Sequence, residues 1–164
     1  MSFSAGDLSA ALGECRASLV GGRLQAIHHP RPDLLIFELY QRQVSHLLLS
    51  VHPKFSRLHV TGRRFRNPQT PSGFCMYLRA RLLGGIVTDL RQHDEDRITM
   101  FDVDAPNARQ PGRYVLVAEL MGPRSNVLLL DAAGVIRQSL QHAHRKERLQ
   151  LVGSRYDPPA RNRP

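Results

Sequence analysis

The sequence predicts an α+β domain with antiparallel strands, sandwich-like or barrel-like in architecture. Three observations predict it. Two stretches, Ser4 to Val20 and Phe74 to Leu83, space their apolar residues as helices do. Eight or nine short runs of β-forming residues fill most of the remainder, punctuated by Gly, Pro, Asn and Asp. Nothing alternates strand–helix–strand–helix, so a parallel sheet is disfavoured. A chain of 164 residues, 41% of them apolar, supports one domain with a continuous core.

The elements follow in order. In the first helix Leu8, Leu12, Cys15 and Leu19 fall on one face, and Gly21-Gly22 stops it. Arg23 to His29 is the first strand, and Pro30 and Pro32 mark a turn. Leu34 to Tyr40 is the second, with Leu35, Phe37 and Leu39 on one side. His46 to Val51 and Leu58 to Thr61 are the third and fourth. Asn67 to Ser72 is a loop. In the second helix Phe74, Cys75, Leu78 and Leu82 face inward, while Arg79 and Arg81 face out. After Gly84-Gly85 come strands at Ile86 to Arg91, Arg97 to Val103, Tyr114 to Leu120 and Asn126 to Leu130. A turn at Asp131-Ala-Ala-Gly134 leads into a last strand, Val135 to Gln141. Residues 1–154 form the domain. Residues 155–164, rich in Pro and Arg, read as an extended linker.

Charge is the most informative departure from an ordinary domain. The fifty residues between Glu38 and Asp89 contain no carboxylate. They hold Arg42, Lys54, Arg57, Arg63, Arg64, Arg66, Arg79 and Arg81, which is +8 of a net +9. Asp89 to Asp104 then carries six acids against Arg91 and Arg97. A block of one sign raises a local potential that attracts a polyanion, and nucleic acid is the commonest such partner. Basic residues are 21 Arg and two Lys. Arg forks onto phosphate and stacks on bases, where Lys is a point charge. Arg57, Arg63, Arg64 and Arg66 are the expected basic surface. Aromatics are 6% and Trp is absent, which argues against a surface that stacks many bases.

No pattern signals catalysis. The eight His are scattered, and no HExxH, GxSxG, Walker or GxGxxG motif occurs. His28-His29 and His142-x-His144 lack a third metal ligand close in sequence, so no metal and no cofactor is expected. Cys15 and Cys75 read as small buried hydrophobes. The first eleven residues lack the basic and apolar regions of a signal peptide, and no apolar run approaches a membrane span, so a cytoplasmic protein is expected.

Two stretches carry candidate binding residues. In Asp94-Glu-Asp-Arg97, Asp96 can orient the Arg97 guanidinium for a bidentate contact to phosphate or a base edge. It can equally form a surface ion pair. In Glu119-Leu-Met-Gly-Pro-Arg-Ser-Asn126, Gly122 and Pro123 kink the chain between strands. Ser125 and Asn126 there can contact a ligand or satisfy turn backbone.

These stretches, with Gly21-Gly22-Arg23-Leu24, Leu48 to His59, Asn67-Pro68 with Phe74-Cys-Met-Tyr-Leu-Arg79, and Tyr156-Asp-Pro-Pro159, together resemble the N-terminal domain of the NFACT family. That family includes bacterial ribosome-quality-control factors, often labelled fibronectin-binding protein A-like, and eukaryotic relatives. The resemblance runs from about Gly21 to Pro159. It implies a fold like the N-terminal β-sandwich domain of formamidopyrimidine-DNA glycosylases. It also implies binding to stalled large ribosomal subunits and to tRNA, alanyl-tRNA in bacteria, in support of untemplated alanine tailing. The family's tRNA-engaging Asp-Arg pair falls on Asp96 and Arg97, and Arg124, Ser125 and Asn126 are assigned to the same surface. A non-enzymatic RNA-binding module, with no small-molecule substrate and no membrane partner, is the leading expectation. A glycosylase-like DNA-binding domain is one alternative. Its chemistry needs Pro and Glu after the initiator Met, where this chain reads Met1-Ser2-Phe3-Ser4. A fibronectin-binding adhesion protein is the other.

Overall fold

The structure is a computed structural model, and it describes residues 4–93, 97–141, 144–145, 148–149 and 151–158. Helix α1 (Ala5–Leu19) starts at Ser4, whose Oγ accepts from Asp7 N while the Asp7 carboxylate accepts from Ser4 N, a closed capping box. Four antiparallel strands follow: β1 (Arg23–Arg31), β2 (Leu34–Gln41), β3 (Gln43–Ser50) and β4 (Arg57–Val60). Helix α2 (Gly73–Leu82) comes next, capped by Ser72 Oγ on Cys75 N. Then come β5 (Ile86–Gln92), β6 (Ile98–Ala105), β7 (Gly112–Glu119), a 3-10 turn (Gly122–Arg124), β8 (Asn126–Asp131) and β9 (Ile136–Ser139). A two-residue hairpin pair, β10 (His144–Arg145) and β11 (Arg148–Leu149), closes the described elements.

The strand order is β4-β3-β2-β1-β5-β6-β7-β8-β9, every pairing antiparallel. One link is narrow: β1 meets β5 through a single paired position, Arg23 with Ile86. The sheet therefore divides into two halves, and the hinge region between them is Gly21–Leu24 with Gly84–Val87. Hydrogen bonds from Leu24 N to Gly85 O and from Val87 N to Gly22 O hold that hinge. Gly85 is needed there, since a Cβ would lie 2.7 Å from Val103 Cγ1 and 3.0 Å from the Leu82 carbonyl.

Both halves share one core. Leu35, Phe37 and Leu49 from the first meet Phe101, Val103 and Leu116 from the second, with Leu8 to Leu19 of α1 and Leu78 and Leu82 of α2. An apolar cavity of about 20 Å3 sits between Leu24, Phe37, Leu47, Val87, Phe101 and Leu116, where the halves face each other. The period-two pattern sends alternate residues to the outer faces. Leu34, Ile36 and Leu48 form a small apolar strip outside the first half, covered by Phe65. Ile98, Val117, Leu128, Leu130 and Ile136 form another outside the second, with Tyr156 against it. Packing continues past Ser154: Arg155 bridges to Val135, and the Tyr156 hydroxyl donates to Glu119 Oε2 at 2.5 Å.

The expected elements are present with shifted ends. Strand β3 begins at Gln43, three residues before the predicted His46, because Arg42 reverses the chain alone at φ 66° and pairs Gln41 with Gln43. Hairpin closure thus recruits polar residues that lack a strand pattern. Arg79 is a correction to the outward position expected for it. It is half-buried, and its Nε donates to Ile27 O at 2.9 Å, tying α2 to β1.

Candidate nucleic-acid interface

Two turns meet at one end of the fold, beside Arg97 at the entry to β6. The Val51–Ser56 turn joins β3 to β4, and the Leu120–Ser125 turn joins β7 to β8. Gly122 N donates to Ser56 Oγ at 3.2 Å, and Gly122 lies against the Pro53 carbonyl. Gly122 takes φ +58°, which lets the backbone turn sharply there. Leu120 N donates to Arg97 O at 2.8 Å, tying the second turn to the entry of β6. Backbone bonds therefore fix where the side chains of Lys54, Arg97 and Arg124 emerge.

Arg124 is exposed at the tip of the 3-10 turn. Its neighbours Ser125 and Asn126 are placed differently from the contact surface expected for them: they are 2% and 1% exposed. Ser125 Oγ accepts from Met121 N at 2.9 Å. Asn126 Nδ2 donates to Ser139 Oγ and to Gln141 O, both at 3.0 Å, and its Oδ1 accepts from Gln141 N at 2.8 Å and from Val127 N at 2.9 Å. Both side chains build the turn, and Arg124 is what the turn presents. Arg97 is half-exposed at the entry to β6. Asp96, together with Asp94 and Glu95, lies outside the described residues.

The basic block continues from this end onto the outer face of the first half. Arg57 sits opposite Ser50, which pairs with Leu34, so Arg57 borders the apolar strip that Phe65 covers. The Arg63 guanidinium lies 5.1 Å from the Phe65 ring centroid and Arg31 lies 5.7 Å from it, so two cations bracket one ring. Arg63, Arg64 and Arg66 are exposed.

Pairing separates these cations from the others. In the second half, Arg91 binds Asp102 at 2.7 Å, Arg113 lies 3.9 Å from Asp104, Arg137 lies 3.8 Å from Asp131, and Arg16 of α1 lies 3.5 Å from Asp89. Among the described residues no carboxylate pairs with Lys54, Arg57, Arg63, Arg64, Arg66 or Arg124. The Arg57 Nε is buried without a hydrogen-bond partner. Two cations of the block are used internally: Arg79 on Ile27, and Arg81, whose guanidinium stacks 3.5 Å from the Tyr77 ring centroid. Lys54, Arg57, Arg63, Arg64 and Arg66, with Arg124, form a positive surface without carboxylate partners among the described residues, which focuses potential toward a polyanion.

Other candidate groups serve the fold. His29 bridges Ser72 Oγ at 2.6 Å and Pro32 O at 3.0 Å, bracing the α2 cap. His46 Nε2 lies 3.1 Å from Glu38 Oε1. Among the described residues no group of three metal-ligating side chains forms, and His142 lies outside them. Cys15 and Cys75 are buried, and burial pushes both thiols up. No described helix is long and apolar enough to cross a membrane.

Comparison with known proteins adds the following. Residues 5–164 match the family model of NFACT N-terminal and middle domains. The chain is 37% identical to the Rqc2 homolog RqcH of Streptococcus suis, over 95% of this chain and 29% of that protein. It is 36% identical to the Rqc2 homolog RqcH of Bacillus subtilis, over 92% of this chain and 28% of that protein. It therefore spans less than a third of the length of these curated relatives. Among solved structures, the N-terminal domain of the fibronectin-binding protein PavA from Streptococcus pneumoniae superposes with a TM-score of 0.90 at 34% identity, covering 98% of this chain and 63% of that one. The N-terminal part of the fibronectin/fibrinogen-binding protein from Streptococcus suis gives 0.91 at 35% identity, covering 98% and 62%.

Proposed function

Because this chain belongs to the NFACT family, as a form of its N-terminal domain, we propose that it is the RNA-binding module of a ribosome-associated quality-control factor. In this reading it engages tRNA, alanyl-tRNA in particular, and the large ribosomal subunit carrying a stalled nascent chain. It works in the cytoplasm and catalyses no bond-breaking. The observation that carries the reading is the basic surface: six cations without carboxylate partners among the described residues, running from the Arg124 turn over Lys54 and Arg57 to Arg63, Arg64 and Arg66. Phosphate neutralisation by such cations releases condensed counterions, which supplies most non-specific affinity. Asp96 holds Arg97, and Arg97 and Arg124 supply contacts to the tRNA. Ser125 and Asn126 act by shaping the turn that carries Arg124. Residues 1–154 are the functional unit in this reading, with Arg155 and Tyr156 packed back against it.

The test is tRNA co-purification with an Asp96→Ala/Arg97→Ala double variant. The expected result is loss of tRNA with the melting temperature within a few degrees of the parent. Undiminished tRNA recovery would defeat the assignment.

The solved relatives named for fibronectin binding favour a second reading, adhesion to an extracellular matrix protein. Detection of the protein on intact cells, with lysis excluded, supports that reading. Its confinement to the lysate removes it.

A further inference from the structure

Phe55 is the most exposed large apolar side chain among the described residues, at 59%. It is an unusual place to spend an aromatic in a chain with six Phe and no Trp. It also does not stand alone. The His52 ring lies 5.0 Å from the Phe55 ring, centroid to centroid, with the planes inclined by 34°. The pair is held from below. Phe55 N donates to His52 O at 3.1 Å, which closes the turn. Lys54 N donates to His52 Nδ1 at 3.0 Å, and Ser50 Oγ accepts from His52 N at 3.3 Å. Ser56, the next residue, is buried and accepts from Gly122 N. The Phe55 ring thus projects into solvent, with the half-buried His52 ring beside it, from a turn whose backbone is braced on both sides.

The surroundings select the occupant. Lys54 lies within the turn, Arg57 follows it, and Arg124 projects from the turn that Ser56 holds. None of the three has a carboxylate partner among the described residues. An apolar protein partner would bury these cations without compensation, which is costly. An unpaired nucleotide satisfies both features at once. Its base offers a π-face to the rings, and its phosphates meet the flanking cations.

We propose that His52 and Phe55 form a stacking platform for one unpaired base of the RNA bound on the adjoining basic surface. The inference rests on the RNA-binding reading above and assigns it a loop or end, not a helical stem, at this end of the sandwich. A single platform agrees with the scarcity of aromatics, which excludes a long stacking surface but not one site.

The experiment measures binding of the 164-residue chain to a stem-loop RNA and to a blunt-ended RNA duplex of equal charge, each across a salt series. Phe55→Ala is expected to weaken stem-loop binding about 5- to 150-fold, the range that one stacked base represents. Phe55→Tyr is expected to restore it, because the ring face returns. The blunt duplex, which offers no unpaired base, is expected to lose less than about twofold. The salt slope should stay the same, because no phosphate contact is removed. The melting temperature of Phe55→Ala should match the parent, as an exposed ring contributes little to folding.

If Phe55→Ala binds the stem-loop as the parent does, or weakens both RNAs equally, the platform is overturned while the RNA-binding reading survives. If Phe55→Ala abolishes capture of fibronectin and leaves RNA binding intact, the aromatic pair is a protein-docking element and the inference falls. If the parent chain binds neither RNA, both proposals fall together.

Discussion

Replacing Asn126 by alanine separates a structural from a contact role at the β7–β8 turn. The carboxamide is 1% exposed and joins β8 to the end of β9. Its removal takes the side-chain acceptor from Gln141 N and Val127 N, bonded at 2.8 and 2.9 Å. The Gln141 carbonyl keeps a donor, since Ser139 Oγ reaches it at 2.7 Å. Two donors are therefore left exposed to loss, each worth about 1–3 kcal/mol when buried without a partner. Gln141 is half-buried, so water can partly replace what it loses. The expected cost is then about 2–4 kcal/mol. For a domain of this size that lowers the melting temperature by roughly 5–15 °C. Arg124→Ala, two residues earlier and exposed, should stay within about 0.5 kcal/mol of the parent while weakening RNA binding. Thermal denaturation of both variants beside an RNA-binding titration reads the contrast. An Asn126→Ala protein that melts like the parent yet loses tRNA would refute the reasoning and make the amide itself a contact.

Three further outcomes are expected. Replacing Arg63, Arg64 and Arg66 together by alanine should flatten the dependence of log affinity on log salt by about 2–3, at roughly 0.7–0.9 per phosphate contact; filter binding across a salt series measures it. Gly85→Ala should destabilise by about 1–3 kcal/mol through overpacking at the hinge between the sheet halves, read as a lower denaturant midpoint, because the new methyl meets Val103 and Leu82 with little room. His28 titrates below its ordinary value, first because of burial and then because Arg79 lies near, with His46 acting the same way and Glu38 opposing. The folded state therefore disfavours protonated His28, so stability is full above the unfolded value near 6.5 and falls as pH drops below it. His28→Gln should show a shallower loss of melting temperature between neutral and mildly acidic pH than the parent.

Local periodicity made both helices legible, since Leu8, Leu12, Cys15 and Leu19 name a buried face without any tertiary knowledge. The strands were legible for the same reason, because Leu35, Phe37 and Leu39 alternate with residues that face outward. Their ends were not. Gln43 joins β3 only because Arg42 closes a hairpin, and no composition rule marks a strand whose partner supplies the pairing. The likeness to glycosylase domains came from the family resemblance alone. Arg79 shows the same limit: its spacing put it on the outer side of α2, yet the Ile27 carbonyl lies within its reach.

At the candidate site, charge could be read directly and orientation could not. A run of fifty residues without an acid meant that any carboxylate to pair with it lay elsewhere in the chain. Whether they returned to pair was a matter of folding. Asp89, Asp102 and Asp104 are taken up by Arg16, Arg91 and Arg113 on neighbouring elements, which leaves Arg57, Arg63, Arg64 and Arg66 without a carboxylate among the described residues. Ser125, Asn126 and Arg124 are adjacent in sequence, yet two turn inward and one outward. Ser125 is held inward by Met121 N, and Asn126 by Ser139 at the end of β9 and Gln141 just beyond it, more than ten residues away. Composition sets the total charge that a chain must present, whereas the direction of each side chain is set by partners that only folding brings within hydrogen-bond distance.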